Sequence, residues 1–159
     1  QKTAYEIRPR DWSSDVCSSD LQWEKDSPID EMNLGGESTK IPILHARYLN
    51  LLTSTKLNLR KAESEYYNMR RKKFRYYRGE MSRSELEDEG WSQWQGTKPL
   101  KNEMDEFLSF DSDLIGLQDK IEYFKTVLYQ LEQIIRSLNS RTWDIKNAIE
   151  WLKWSNGSI

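Results

Sequence analysis

Between Leu114 and Leu152 apolar residues return every seven positions in two interleaved series. Leu114, Ile121, Leu128, Ile135, Thr142 and Ile149 form one series, and Leu117, Phe124, Leu131, Leu138, Ile145 and Leu152 form the other. Eleven of these twelve positions are apolar, over six heptads. An α-helix gathers such residues on one face, whereas a strand, with its period of two, scatters them. The pattern predicts a helix over about 112–154 with coiled-coil-like packing. Val127, Ile134 and Ala148 widen the stripe, which suits contact with more than one neighbouring helix. One chain offers only one other long helix to cover it. The uncovered remainder, with Trp143, Trp151 and Trp154, points to a homo-oligomer held by Leu128, Leu131, Ile135, Leu138, Ile145, Ile149 and Leu152. The alternative is a monomeric helical hairpin.

That other helix is predicted over about 41–78, a stretch with no Gly and only Pro42, which suits a first helical turn. Tyr48, Leu52, Thr55, Leu59, Ala62, Tyr66, Met69, Lys73 and Tyr76 recur at spacings of three and four, so the seam is apolar early and polar late. An end of that kind is expected to project from a core. Ser38 or Thr39 can cap the start and Gly79 the end. Residues 22–37 read as an acidic arm, and 79–100 as an acidic, irregular loop pinned to the body by Trp91 and Trp94. Lys101–Phe110 reads as a short amphipathic helix. The expected fold class is mainly α: two long helices, with a shorter helix and an acidic loop between them, in a homo-oligomer.

The chemistry concentrates at the end of the first long helix. Arg70, Arg71, Lys72, Lys73, Phe74, Arg75, Tyr76, Tyr77 and Arg78 are all basic or aromatic. Residues 60–78 hold eight Lys/Arg, five aromatics and two acids. Cations neutralise phosphates and release counterions. Aromatic faces stack unpaired bases, at roughly 1–3 kcal/mol per base. The mixture therefore favours single-stranded nucleic acid, because duplex bases offer no free faces. A solvated charged face, an import signal or a membrane-surface patch are the competing readings of such a run.

Composition narrows the field. The net charge is only −2, but the charges are segregated. Five acids in 22–37 and five in 79–90 flank the basic run. There is one His and one Cys, no P-loop and no G-x-S-x-G, so no enzyme, cofactor or metal site is expected. No apolar run is long enough to span a membrane. The chain starts with Gln, and Arg10–Leu21, RDWSSDVCSSDL, reads as an in-frame translation of a common sequencing-library adapter. Residues 1–21, including Cys17, are therefore expected to be disordered and foreign to the natural protein. Residues 38–159 are expected to form one helical domain.

Three stretches carry a resemblance. They are Phe74-Arg75-Tyr76-Tyr77-Arg78-Gly79, then Lys101-Asn102-Glu103-Met104 with Leu108 and Asp111-Ser112-Asp113-Leu114, then Ile135-Arg136-Ser137 with Ser140-Arg141-Thr142-Trp143-Asp144-Ile145-Lys146. In these the chain resembles the UvsY family of recombination mediators from T-even-type phages. The resemblance implies ATP-independent binding of single-stranded DNA by a ring-like homo-oligomer. It implies two further partners, a phage recombinase and the phage single-strand-binding protein whose covered DNA the recombinase is loaded onto. It implies action in the cytoplasm of an infected bacterium, with no membrane partner. A Lys-x-Arg pair before the paired tyrosines contributes to DNA binding in the family. Here Arg71 and Lys73 keep the charge with the residue types exchanged. A structural coiled-coil scaffold or assembly protein with a solvated basic face is the alternative.

Overall fold

The computed structural model describes residues 22–157, so the expectation for residues 1–21 lies outside the described residues. The described residues contain helices and no strand. After a helical turn at 22–26 and a 3-10 turn at Glu31–Asn33 come α1 (Leu34–Tyr77), α2 (Arg83–Glu89), α3 (Met104–Ser109) and α4 (Ser112–Ser155). The two long helices, the short helix after residue 100 and the absence of strands agree with the mainly α expectation.

The chain divides into two compact units, Gln1–Thr53 with Val127–Ile159, and Ser54–Thr126. In the first, Leu34, Leu44 and Tyr48 of α1 are buried, as are Val127, Leu128, Leu131, Ile134, Leu138 and Ile145 of α4. The arm before α1 is fastened here. The Arg141 guanidinium, buried on α4, donates to the carbonyls of Asp26, Ser27 and Pro28 at 3.1, 2.9 and 2.8 Å. It also donates to Glu37 Oε2 at 2.7 Å, leaving its Nε unpartnered. The Asp26 carboxylate accepts from Arg47 at 2.9 Å and from the Tyr48 hydroxyl at 3.0 Å, and the Trp23 ring meets Tyr48 edge-on at 5.5 Å. Lys40, then Arg141, hold the Glu37 carboxyl below its usual range.

The structure differs from the sequence reading at one boundary and along one stripe. Helix α1 begins at Leu34, so Gly35 and Gly36 lie inside it. The stripe of α4 also turns: Thr142 and Ile149 are exposed, while Ile134 and Arg141 are buried. The cause is the arm, which gives that side of the helix a second neighbour.

In the second unit, Ala62 of α1 packs with Ile121 and Phe124 of α4. Met104 and Leu108 of α3 pack with Leu114 of α4, and Tyr66, Met69 and Tyr77 close over them. Helix α1 ends in a left-handed turn at Gly79 (φ 68°), whose N–H donates to the Tyr76 carbonyl while Glu80 N–H reaches Arg75. These paired bonds satisfy carbonyls the helix end would leave bare. Inside the expected irregular loop stands α2. Ser82 accepts from the Glu85 N–H and Glu85 reaches back to Ser82 N–H, a capping box, and Gly90 (φ 69°) stops the helix.

Candidate nucleic-acid interface

The basic run occupies the last turns of α1, and the helical repeat divides it into three sets. The first set points into the second unit. Lys73 is buried, its ammonium 3.1 Å from Asp111 and 2.5 Å from Asp113, and 4.3 Å from the centre of the Trp91 ring. Burial pushes its pKa down, but the two carboxylates outweigh that and the net shift is upward. Tyr77 donates to Asp111 Oδ2 at 2.7 Å. Asp111 also accepts from the N–H groups of Asp113 and Leu114, so it caps α4. Burial pushes the Asp111 carboxyl up, yet the Tyr77 hydroxyl and Lys73 hold it below its usual range. Tyr76 and Tyr77 are half-buried. Tyr76 meets Trp91 at 5.3 Å, and Tyr77 meets Trp94 at 4.9 Å and Phe107 at 5.8 Å, all edge-on. Trp94 donates to the Thr97 carbonyl. The two tryptophans hold the loop against the helix, and the helix end is covered where projection was expected.

The second set faces outward but is paired. Lys72 bonds Glu89. Arg75 takes both oxygens of Glu85, at 2.7 and 3.0 Å, and Arg78 lies 2.8 Å from Glu80. Arg70 reaches Asp105 at 2.7 Å. The Arg75 guanidinium, then the Ser82 N–H, lower the Glu85 carboxyl to about 2. The acidic stretch 80–89 is thus folded over the basic one, supplying a carboxylate to three of its cations. The third set is open: Arg71 has no carboxylate partner among the described residues, and the Phe74 ring is exposed with the Arg78 guanidinium 5.5 Å from its centre.

The acidic partners were not read from the sequence, although the signal was present. Ser82-x-x-Glu85 followed by Gly90 spells a capped helix, and that helix fixes where Glu85 and Glu89 stand.

The residues expected to hold an oligomer divide likewise. Leu128, Leu131, Leu138 and Ile145 are buried within the chain's own first unit, and Ile135 is half-buried. Ile149 and Leu152 are exposed, together with Trp143, Trp151 and Trp154, each about two-thirds exposed. The Trp151 and Trp154 rings lie 5.1 Å apart. Among the described residues no helix is long and apolar enough to cross a membrane, and no group of three His, Cys, Asp or Glu side chains is placed to hold a metal ion.

The fold is similar to crystal structures of the recombination mediator protein UvsY of bacteriophage T4. One is 21% identical, covering 87% of this chain and 98% of its own, with a TM-score of 0.74. A second lattice form is 22% identical over 89% and 98%, with a TM-score of 0.73. A third is 24% identical over 87% and 96%, with a TM-score of 0.71. No curated protein sequence matches the chain. The family described as "Recombination, repair and ssDNA binding protein UvsY" matches residues 22–158. With the sequence matched over nearly all of the described chain, and the helical fold shared, this protein belongs to the UvsY family.

Proposed function

We propose that the protein is a single-stranded-DNA-binding recombination mediator that helps load a phage recombinase onto DNA covered by single-strand-binding protein, in the cytoplasm of an infected bacterium. Membership of a recombination, repair and single-strand-binding family supports this reading, as does a fold like that of a phage recombination mediator. The observation that carries it is the end of α1, where Arg70, Arg71, Lys72 and Arg75 face outward and the exposed Phe74 ring has the Arg78 guanidinium 5.5 Å from its centre. The role is binding rather than catalysis. Lys73, Tyr76 and Tyr77 support that face from within, and Phe74 is the ring within the basic run most open to a base. Self-association, as a ring-like homo-oligomer, is assigned to the exposed Ile149, Leu152 and tryptophans at the end of α4. The chain's partners are then single-stranded DNA, its own copies, the recombinase and the single-strand-binding protein.

The ion pairs on Lys72, Arg75 and Arg78 favour the rival reading of a scaffold with a solvated charged face. Titration of Arg71→Ala/Arg75→Ala protein against labelled (dT)20, heparin and duplex at several salt concentrations separates the two. A mediator loses affinity for the single strand, and its log–log salt slope flattens by about 0.7 for each phosphate contact removed. Wild-type affinity and slope in the double variant, or equal weak binding to all three polyanions, would make the protein a scaffold.

A further inference from the structure

A groove of about 530 Å³ opens beside the end of α1, lined by Phe74, Arg78 and Gly79 from that end and by Lys98, Leu100 and Lys101 from the segment leading to α3. We propose that this groove is a nucleotide subsite for the single strand: Lys98 and Lys101 take a backbone phosphate, and Phe74 takes the adjoining base. The inference rests on the single-strand reading above and extends the interface to two lysines some twenty residues beyond the basic run.

Three observations carry it. Lys98 and Lys101 have no carboxylate partner among the described residues, whereas four outward cations of the run, Arg70, Lys72, Arg75 and Arg78, are paired. The only carboxylate in the groove, Glu80, is taken by Arg78. The groove is therefore a concentration of uncompensated positive charge, which attracts an anion. Second, its walls are partly apolar and open to water: Leu100 is 63% exposed and Phe74 is 38% exposed. Bare ammonium groups beside an exposed ring match the two halves of a nucleotide, and that pairing of charge with a flat apolar face is how single strands are held. Third, Lys98 lies against Gly79 at the end of the helix. A Cβ at Gly79 would lie 3.3 Å from Lys98 Cε and 3.6 Å from its Nζ. The Lys98 tip thus reaches the helix end, in the groove that Phe74 also lines. An ammonium there also complements the helix dipole, but this does not account for Lys101. The groove is an open cleft and not an enclosed pocket, a form that suits a polymer passing through it.

The test uses the full chain. Lys98→Ala/Lys101→Ala, both on exposed positions, should keep wild-type helicity and melting. Its affinity for labelled (dT)20 at low salt should fall roughly tenfold, and its salt slope should flatten by about 0.7, the worth of the one phosphate the two lysines share. Lys98→Arg/Lys101→Arg should restore both. Phe74→Ala should weaken binding of (dT)20 but not of an abasic oligomer of the same length, with the slope unchanged. If wild-type protein does not bind (dT)20, the single-strand reading itself fails. If it binds and the lysine variant binds with the same affinity and slope, the groove is no subsite. Equal loss on the abasic oligomer overturns the assignment of a base to Phe74. Displacement of (dT)20 by equimolar dTMP overturns the strand in favour of a free nucleotide.

Discussion

Lys73→Met separates a structural cation from a binding one. Taking one member from a buried ion pair typically costs about 3–5 kcal/mol, because the remaining charge is stranded. Here three features reduce that figure. Asp113 is 40% exposed and regains water. Asp111 keeps the Tyr77 hydroxyl at 2.7 Å and the N–H groups of Asp113 and Leu114 at 3.0 and 3.2 Å. Methionine also preserves contact with the Trp91 face, sulfur replacing the cation over the ring. A loss of about 2 kcal/mol is expected, or about 4–8 °C in melting temperature. The pH dependence has a definite sign. Asp111 is held below its ordinary value of 3.8, so its contribution is complete above that and fades as pH falls through the folded value. Lys73 is held above 10.5, so its contribution is complete below that and fades as pH rises through the folded value. The stability gap between wild type and variant should be flat between those limits and narrow outside them. Urea unfolding followed by circular dichroism measures the gap. Well below melting, (dT)20 binding should be nearly unchanged in affinity and in salt slope. A variant with wild-type stability and a slope flattened by about 0.7 would place Lys73 on a phosphate and refute the argument.

Arg141→Met should cost about 3 kcal/mol by leaving three carbonyls of the arm unbonded and Glu37 with Lys40 as its one remaining cation, and Arg141→Met/Glu37→Leu should recover part of it, as thermal melts will show. Glu85→Gln/Glu89→Gln should tighten (dT)20 binding by releasing Arg75 and Lys72; weaker binding would mean that the acids only position the cations. Because Glu85 is lowered to about 2, its stabilising effect is present above 4.5 and is lost only as pH falls through about 2, so acidifying wild type from pH 7 to 5 should not mimic that variant. Trp151→Asp/Leu152→Asp should shrink the sedimenting species with helicity intact, whereas Leu138→Asp, at a site with no exposure, should unfold the chain; an unchanged particle in the first variant removes these residues from the interface.

The heptads of α4 and the Gly-free stretch of α1 were legible because they are local. Periodicity and caps act within a few residues: Gly79 ends α1, and the short helix, at Met104–Ser109, lies inside the stretch expected to form it. What the sequence hid depends on chain segments far apart. Lys73 reads as the fading of a seam, and only Asp111, 38 residues on, makes it an interior charge. Arg141 stands outside both heptad series, and only the arm, more than a hundred residues earlier, makes it an interior residue by presenting its carbonyls. The basic run reads as free charge for the same reason: two of its compensating carboxylates, Glu85 and Glu89, lie on α2, which a count of acids does not place.

The folded-over acidic stretch has a consequence for which ligands the surface answers to. Glu80, Glu85 and Glu89 are tethered to the chain, and so face Arg78, Arg75 and Lys72 at an effective concentration on the order of millimolar. A lone phosphate or a mononucleotide exchanges with one carboxylate at a time, and the other two hold the stretch in place. A strand presents several phosphates at once, and once the first carboxylate is displaced the short helix carries the others away with it. If the surface binds a strand as proposed, it would select by valence, favouring a polymer over abundant small anions.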